Sequence, residues 1–120
     1  MSDTFLAVFT GSKTSPKMQA WFELPQDERR AKEMEGFLAW KAWAQQHAAA
    51  TVAMGGPLGK TKSVTLEGIA DITNNLSAFM VVRADSAEAA ARMFENHPHF
   101  AIFPGEGVEV MPVLPIPGGG

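Results

Sequence analysis

Two segments of this chain that are predicted to be β-strands are apolar on both faces. Residues 4–10 read TFLAVFT and residues 76–83 read LSAFMVVR. Successive side chains on a strand point to opposite sides, so a strand with one wet face alternates apolar and polar residues. Neither segment alternates, and the sheet that they form must therefore be covered on both faces. Because the sequence supplies only one layer of helix, we expect a second copy of the chain to cover the other face in a homodimer.

The composition fits one globular domain and excludes several classes of protein. The 120 residues are 46% hydrophobic and 19% charged, with a net charge of −3 and no cysteine. A binder of nucleic acid needs a basic face, which this chain lacks. Without cysteine there is neither a disulfide nor thiolate chemistry, as is typical of a reducing compartment. No apolar run approaches the ~20 residues that span a bilayer, and no basic leader precedes the first strand, so we expect a cytoplasmic protein with no membrane partner.

The order of predicted elements is that of a split βαβ, or ferredoxin-like, subunit in the α+β class. It has an antiparallel sheet with two helices on one face. We expect the domain to span residues 1–114 and residues 115–120 to form a flexible tail. The predicted elements are a strand at 4–10, a helix from Pro25 to about Ala49, strands at 51–54, within 63–73 and at 76–84, a helix from 85 to about 96, and a strand at 107–113.

Details of three elements carry further expectations. The long helix is predicted to bury Ala31, Met34, Phe37, Leu38, Trp40 and Ala44, which recur near a 3.6-residue period. Gly36 within that helix indicates close packing or a bend. Asn74-Asn75 is predicted to be a hairpin turn between the strand in 63–73 and the strand at 76–84. Asp85 with Glu88 resembles a capping box at the start of the second helix, and Pro98 is predicted to end it.

Several short segments, in their order and spacing, resemble the YCII-related family of proteins. They are Gly55-Gly-Pro-Leu58, the strand FMVVRADS at 79–86 before an Ala-rich helix, Asn96-His-Pro-His99, and GVEVMPV at 107–113. The resemblance covers roughly residues 34–113. It implies a ferredoxin-like subunit that pairs into a dimeric α+β barrel, which agrees with the two-faced strands.

The same resemblance implies where chemistry would take place. Some members of the family look like small lyases or dehydrohalogenases that act on aromatic-derived compounds, with a His on the first long helix and an Asp just before a Pro. In this chain Ala39 stands near the position of the family His, and His97 replaces the Asp before Pro98. Asp71 is the best-placed carboxylate after this comparison. The family dyad is therefore absent, and His97 with Asp71 are the candidate catalytic residues.

His97 and His99 carry the candidate chemistry because an imidazole titrates near neutral pH. A helix C-terminus would favour the charged form of His97. The alternative is structural, with His97 hydrogen-bonded to the last carbonyls of the helix and His99 in solvent. His97-Pro-His99 is also a His-x-His pair, but no second cluster of ligands supports a metal site.

The remaining candidates would bind a ligand. Trp40 and Trp43 could line a cavity for an aromatic ring, although such a pair is more often core. Gly55-Gly56-Pro57 could let a ligand approach the backbone, or simply end a strand. The spacing of a phosphate-binding loop is absent around Lys60, so we expect no cofactor and no metal. Arg83 and Glu109 are expected to pair across the sheet or across the dimer interface.

Two function classes follow from these residues. The first is a small cofactor-free enzyme that uses His97 in acid–base chemistry on a small ring compound. The second is a non-catalytic ligand-binding or accessory module with the same cavity. An inward-pointing His97 beside a carboxylate favours the enzyme, whereas a wholly apolar cavity favours the module. The candidate ligand-binding residues are Trp40, Trp43, Gly56, Pro57, Phe79 and His99.

Overall fold

The computed structural model describes residues 3–118, so Met1, Ser2 and the last two glycines of the predicted tail lie outside the described residues. Described residues 113–118 form neither helix nor strand. The elements, in chain order, are β1 (Asp3–Thr10), α1 (Pro16–Glu23), α2 (Gln26–Gln46), a short 3₁₀ helix (Ala48–Ala50), β2 (Thr51–Pro57), β3 (Thr61–Thr65), β4 (Gly68–Ile72), β5 (Leu76–Ala84), α3 (Ala87–Arg92), α4 (Pro98–Ala101) and β6 (Gly107–Pro112). Among the described residues, no helix has both the length and the apolar character that crossing a membrane requires.

Four strands form one antiparallel sheet in the order β2-β5-β1-β6. In the register, Ala7 of β1 lies between Met80 of β5 and Val110 of β6. The first and third of these strands in chain order, β1 and β5, are central because each is paired on both sides. This is the sheet of a ferredoxin-like split βαβ subunit, so the predicted fold class is confirmed.

The core lies between one face of this sheet and the helices. Alternate residues of the two central strands are buried there, together with side chains from α2, α3 and the segment that follows α3. The buried apolar residues are Phe5, Ala7, Phe9, Trp43, Met80, Val82, Ala90 and Phe94. The molecule measures 18 Å along its shortest axis, which is room for one sheet and one layer of helix.

The other face of the sheet carries apolar side chains with no helix over them. Leu6 and Val8 of β1 are only half-buried, as are their partners Val81 and Phe79 of β5. Both central strands are thus apolar on two faces, as the sequence predicted, and the described helices of the chain cover only one of these faces.

The hairpin in the middle of the chain differs from the prediction. β3 and β4 pair with each other in a separate two-stranded sheet, and the turn lies at Leu66-Glu67 rather than at Asn74-Asn75. Gly68, with φ of +114°, supplies the left-handed backbone that closes this turn. The segment 63–73 is therefore two strands, and its second strand does not pair with β5.

The predicted inward stripe of α2 is wrong over its first half. Met34, Phe37 and Leu38 are 61%, 60% and 62% exposed, whereas Gly36 and Trp43 are buried. A Cβ on Gly36 would lie 2.4 Å from the ring of Phe103, so this glycine admits the aromatic ring against the helix backbone. The close packing predicted at Gly36 is confirmed, and it turns the buried face of α2 toward the segment after α4.

The chain around Pro98 also differs from the prediction. Ser86, not Asp85, is the N-cap of α3, because its hydroxyl accepts the backbone N–H of Ala89. α3 ends at Arg92, and Pro98 begins α4 rather than ending the preceding helix. His97 is consequently the N-cap of a new helix instead of a residue at a helix C-terminus.

β2 continues through the Gly-Gly-Pro segment where the sequence predicted its end. Gly55 has φ of +60°, and a Cβ there would lie 2.0 Å from the carbonyl oxygen of Phe79. The register of β2 against β5 shifts on either side of Ala53, as in a bulged strand. Gly55 therefore allows β2 to stay paired with β5 as far as Pro57.

This geometry predicts that Gly55→Ala destabilises the protein by about 2 kcal/mol or more, since it adds left-handed strain to a clash with backbone. Gly59→Ala is the matched control, because nothing lies within 4 Å of its added Cβ. We expect that control to be neutral or slightly stabilising. Urea unfolding measures the free energy of unfolding of both variants. Equal stabilities would contradict the role of Gly55 in keeping β2 paired with β5.

Candidate functional site

His97 is buried in a cluster of aromatic rings between α2 and the sheet. The side chain is 0% exposed. Its ring centroid lies 4.6 Å from that of Trp40, 4.7 Å from that of Trp43 and 5.1 Å from that of Phe9. The fourth neighbour is Phe94, at 5.9 Å. A polar ring thus sits in surroundings that supply almost no polar partners.

One nitrogen of this ring has a fixed partner and the other has none. Nδ1 of His97 accepts the backbone N–H of His99 at 3.0 Å. A nitrogen that accepts a hydrogen bond carries no proton, so the proton of the neutral ring is on Nε2. Nε2 is buried and has no hydrogen-bond partner among the described residues. His97 therefore presents a free N–H donor to the interior of the site.

The charge of His97 follows from its burial. Desolvation, together with the nearby imidazoles of His99 and His47, lowers the pKa of His97 from 6.5 to about 4. The ring is therefore neutral at pH 7. The expectation that a helix end would favour the charged form is wrong, because His97 precedes α4 and is buried.

His99 is also buried, which corrects the alternative that places it in solvent. Its Nε2 donates to the carbonyl oxygen of Thr10 at 2.8 Å, since a carbonyl oxygen only accepts. A Cβ on Gly105 would lie 2.3 Å from this nitrogen, so glycine is needed beside the ring. Lys17 Nζ donates to the carbonyl oxygens of Phe100 and Gly105, at 2.6 and 2.9 Å. These contacts fix the α4 segment against β1 and hold the His99 backbone under His97.

An apolar cleft of about 300 Å³ lies beside this cluster, between the C-terminal half of α2 and the edge strand β2. The cleft is formed by Trp40, Trp43, Ala44, Ala48, Thr51, Val52, Met54 and Met80. None of these side chains is titratable. Trp43 is held by a hydrogen bond from Nε1 to the carbonyl oxygen of Met93 at 2.8 Å. Trp40 stacks on Phe9, with 5.4 Å between ring centroids.

The structure brings two of the predicted ligand-binding residues to the cleft. Trp40 and Trp43 line it, and both also contact the ring of His97. Gly56 and Pro57 lie farther along β2, paired with Phe79 and Ala78 of β5.

Phe79 and Asp71 are placed elsewhere in the subunit. Phe79 points to the open face of the sheet, because Met80, its neighbour on β5, faces the cleft. Asp71 lies on β4 in the separate hairpin, where its exposed carboxylate pairs with Lys62. The predicted pocket that joins Phe79 with the two tryptophans is therefore not formed within one subunit, and no carboxylate of residues 3–118 is hydrogen-bonded to His97.

Sequence reasoning missed Phe9, Met80, Gly105 and Lys17 as residues that shape the site. Phe9 contacts both histidine rings, at 5.1 and 5.2 Å between centroids. Its signal was its place on the two-faced strand β1, whereas Lys17 and Gly105 lie in segments with no pattern of their own. Within residues 3–118, no cluster of three or more His, Asp or Glu residues could hold a metal ion.

The fold is similar to that of a solved enzyme. This is 5-chloro-2-hydroxyhydroquinone dehydrochlorinase from Burkholderia phenoliruptrix AC1100, in complex with 2,5-dihydroxybenzoquinone; the TM-score is 0.52 and the identity 16%, over 90% of each chain. The likeness establishes the fold alone. No family model matches the sequence. No curated protein sequence matches it either.

The lowered pKa predicts how stability depends on pH. Between pH 6.5 and about 4 the unfolded chain binds a proton at His97 that the folded protein does not bind. Stability is therefore full above about pH 6.5 and falls as the pH drops toward 4, by up to about 3 kcal/mol from this residue. The pKa values of His47 and His99 are lowered too, so the total slope is larger.

The His97→Asn variant isolates the contribution of His97. Asparagine keeps an N-cap acceptor for the His99 N–H but does not titrate. We expect urea unfolding to show a smaller loss of stability between about pH 7 and pH 4.5 in this variant than in the unaltered protein. Equal losses would contradict a neutral, buried His97.

Proposed function

We propose that this protein is a small cofactor-free enzyme that binds a planar ring compound in the apolar cleft and promotes proton-transfer chemistry with His97. The observation that carries the proposal is the Nε2–H of His97, a buried donor with no hydrogen-bond partner in residues 3–118, behind two tryptophans that line the cleft. Sites for small ligands are apolar cavities with a few placed polar groups, and this arrangement has that composition.

The ligand reaches His97 by displacing Trp40. His97 itself does not line the cleft, but Trp40 contacts both the cleft and the His97 ring. Trp43 is anchored by its hydrogen bond to Met93, whereas ring packing is what holds Trp40. A planar ring that takes the place of the Trp40 indole would stack on Phe9 and bring one edge to the His97 ring.

The chemistry that fits this donor is an elimination next to a carbonyl group. In the keto form of a halogenated, hydroxylated ring, a C–H proton beside the carbonyl group leaves to water, and its electron pair forms an enolate with negative charge on the carbonyl oxygen. The enolate electrons then form a double bond to the adjacent carbon as halide leaves that carbon with the electrons of the carbon–halogen bond, so that HX is lost without oxidation or reduction. A neutral imidazole N–H on the carbonyl oxygen stabilises the negative charge that develops there. The similar fold of a dehydrochlorinase supports this class of reaction.

A non-catalytic ligand-binding module is the second candidate. It is favoured by the absence of any titratable side chain among the cleft residues and by the distance of Asp71 from them in the fold, on a separate sheet. Both candidates predict binding, and they differ in turnover.

The test is anaerobic calorimetry and chloride release with a panel of chlorinated hydroxybenzenes that includes 5-chloro-2-hydroxyhydroquinone. For a compound that is turned over, His97→Asn should lower the rate about 10²–10³-fold, as the loss of one donor to a developing oxyanion does elsewhere. Lys41→Ala is the matched control, exposed on the same helix as Trp40, and should have no effect. Binding without chloride release would favour the module, and no binding at all would contradict both candidates.

We further propose that two subunits pair through the open faces of their sheets into a dimeric α+β barrel, as in YCII-related proteins. That face is apolar at its centre, and it carries Arg83 beside Thr4 and Glu109 beside Val8. A twofold axis repeats the same patch on both sides of the interface, and we propose that Arg83 of each subunit pairs with Glu109 of the other. Among residues 3–118, neither side chain forms an ion pair within one subunit.

A charge exchange tests this dimer. Arg83→Glu and Glu109→Arg should each weaken association, because like charges then meet across the interface, and the double variant should restore it. Light scattering after size exclusion measures the mass, which should be twice that of one chain for the unaltered protein. Phe79→Asp should split the dimer by burying an unpaired charge. A monomer of unaltered protein at micromolar concentration would contradict the proposal.

A further inference from the structure

The tautomer of His97 restricts what the proposed site can recognise. The backbone N–H of His99 occupies Nδ1, and the N–H cannot turn away because α4 is fastened on both sides. His99 Nε2 donates to Thr10, and the backbone N–H of Gly105 donates to the His99 carbonyl oxygen at 2.9 Å. In the neutral ring, Nε2 could accept a proton or a hydrogen bond only if the proton that it carries moved to Nδ1. A protonated Nδ1 cannot accept the His99 N–H, so that hydrogen bond would be broken. His97 is thus restricted to donating.

The surroundings of Nε2 add a second restriction. The rings around it are those of Phe9, Trp40, Trp43 and Phe94, and the cleft beyond them has no cationic side chain. An anion transferred into such surroundings loses its hydration and gains only one neutral donor in return. A neutral oxygen loses far less hydration free energy, and it pairs with a buried N–H for which the described part of the chain supplies no acceptor.

We infer that the site selects a neutral planar ring with a carbonyl oxygen on its edge, which accepts from Nε2 of His97, over the corresponding carboxylate and over a ring with no acceptor. The inference rests on the proposed function and names its substrate class. In this structure the His97 and Trp40 rings are perpendicular, with 4.6 Å between their centroids. Any contact of an N–H with an aromatic ring is weaker than a hydrogen bond to oxygen, so a carbonyl group brought to Nε2 in place of Trp40 is favoured.

His97 is the residue that determines this preference, and His99 positions it. Because the N–H that fixes the tautomer belongs to the backbone, it survives any substitution at His99 other than proline. The lowered pKa of His97 agrees with this role, since it keeps the ring neutral at pH 7 and leaves a single proton on it.

The first arm of the test needs no ligand. Two-bond ¹H–¹⁵N correlation spectra of the full-length protein, assigned with His97→Asn, report which nitrogen of His97 carries the proton. We expect protonated Nε2 and unprotonated Nδ1 at neutral pH. A proton on Nδ1, or on both nitrogens, would overturn the inference whatever the protein binds.

The second arm compares three probes of one shape: acetophenone, ethylbenzene and benzoate. Titrations followed by NMR should show acetophenone binding about tenfold or more tightly than ethylbenzene, with benzoate weakest, because only acetophenone pairs the buried donor without burying a charge. His97→Asn should reduce the advantage of acetophenone over ethylbenzene, and Lys41→Ala should preserve it.

The outcomes separate the two levels of the proposal. If acetophenone and ethylbenzene bind equally, or if benzoate binds most tightly, the selectivity is wrong but the cleft is still a binding site for rings. If none of the three binds, the proposed function fails as well, whereas the tautomer is still decided by the spectra.

Discussion

A single hydrogen bond, from the backbone N–H of His99 to the side-chain Nδ1 of His97, determines the tautomer of this buried imidazole. It serves as the N-cap of α4, and it also assigns the only proton of the neutral imidazole to Nε2. The ring is enclosed by four aromatic side chains, so no water-rich surface offers Nε2 a partner. Local backbone geometry thereby makes a residue that is usually a base into a fixed donor.

The fold supports this bond through close approaches that only glycine permits. Gly105 lets the His99 ring lie against the backbone after α4, and Gly36 admits the Phe103 ring against α2. Lys17 fastens the same segment from α1, through two carbonyl oxygens. Hydrogen bonds therefore hold the segment around α4 against both α1 and β1. The burial of His97 lowers the stability of the protein at low pH, because this histidine is protonated in the unfolded chain and neutral in the folded protein.

The parts of the fold that were predictable are those with a strong periodic signal. Because successive side chains of a strand point to opposite faces, the two segments that are apolar on both faces identified both central strands and the uncovered face of the sheet. Periodicity failed on α2, where Met34, Phe37 and Leu38 fit the period but are exposed. The buried face of that helix is set by Phe103, far along the chain, and no local pattern contains such a contact. The hairpin of β3 and β4 was missed for a similar reason, because these two strands pair with each other and not with a strand of the main sheet.

At the site, residue type was informative and residue role was not. The sequence singled out His97, Trp40 and Trp43, and the His97 ring contacts both tryptophans. The sequence predicted that Pro98 ends one helix, whereas Pro98 begins another. The predicted charge on His97 was wrong for that reason, since the ring is neutral. Asp71 was chosen by its place in the chain, and the strand pairing carries it into the separate hairpin.

The most direct test of the central claim is a crystal structure of the protein with acetophenone bound. We predict the ring of the ligand stacked on Phe9, the Trp40 indole displaced, and the carbonyl oxygen within about 3.2 Å of His97 Nε2. A ligand bound in the cleft with its carbonyl oxygen directed to solvent, or with the His97 ring turned so that Nδ1 leaves the His99 N–H, would contradict the account.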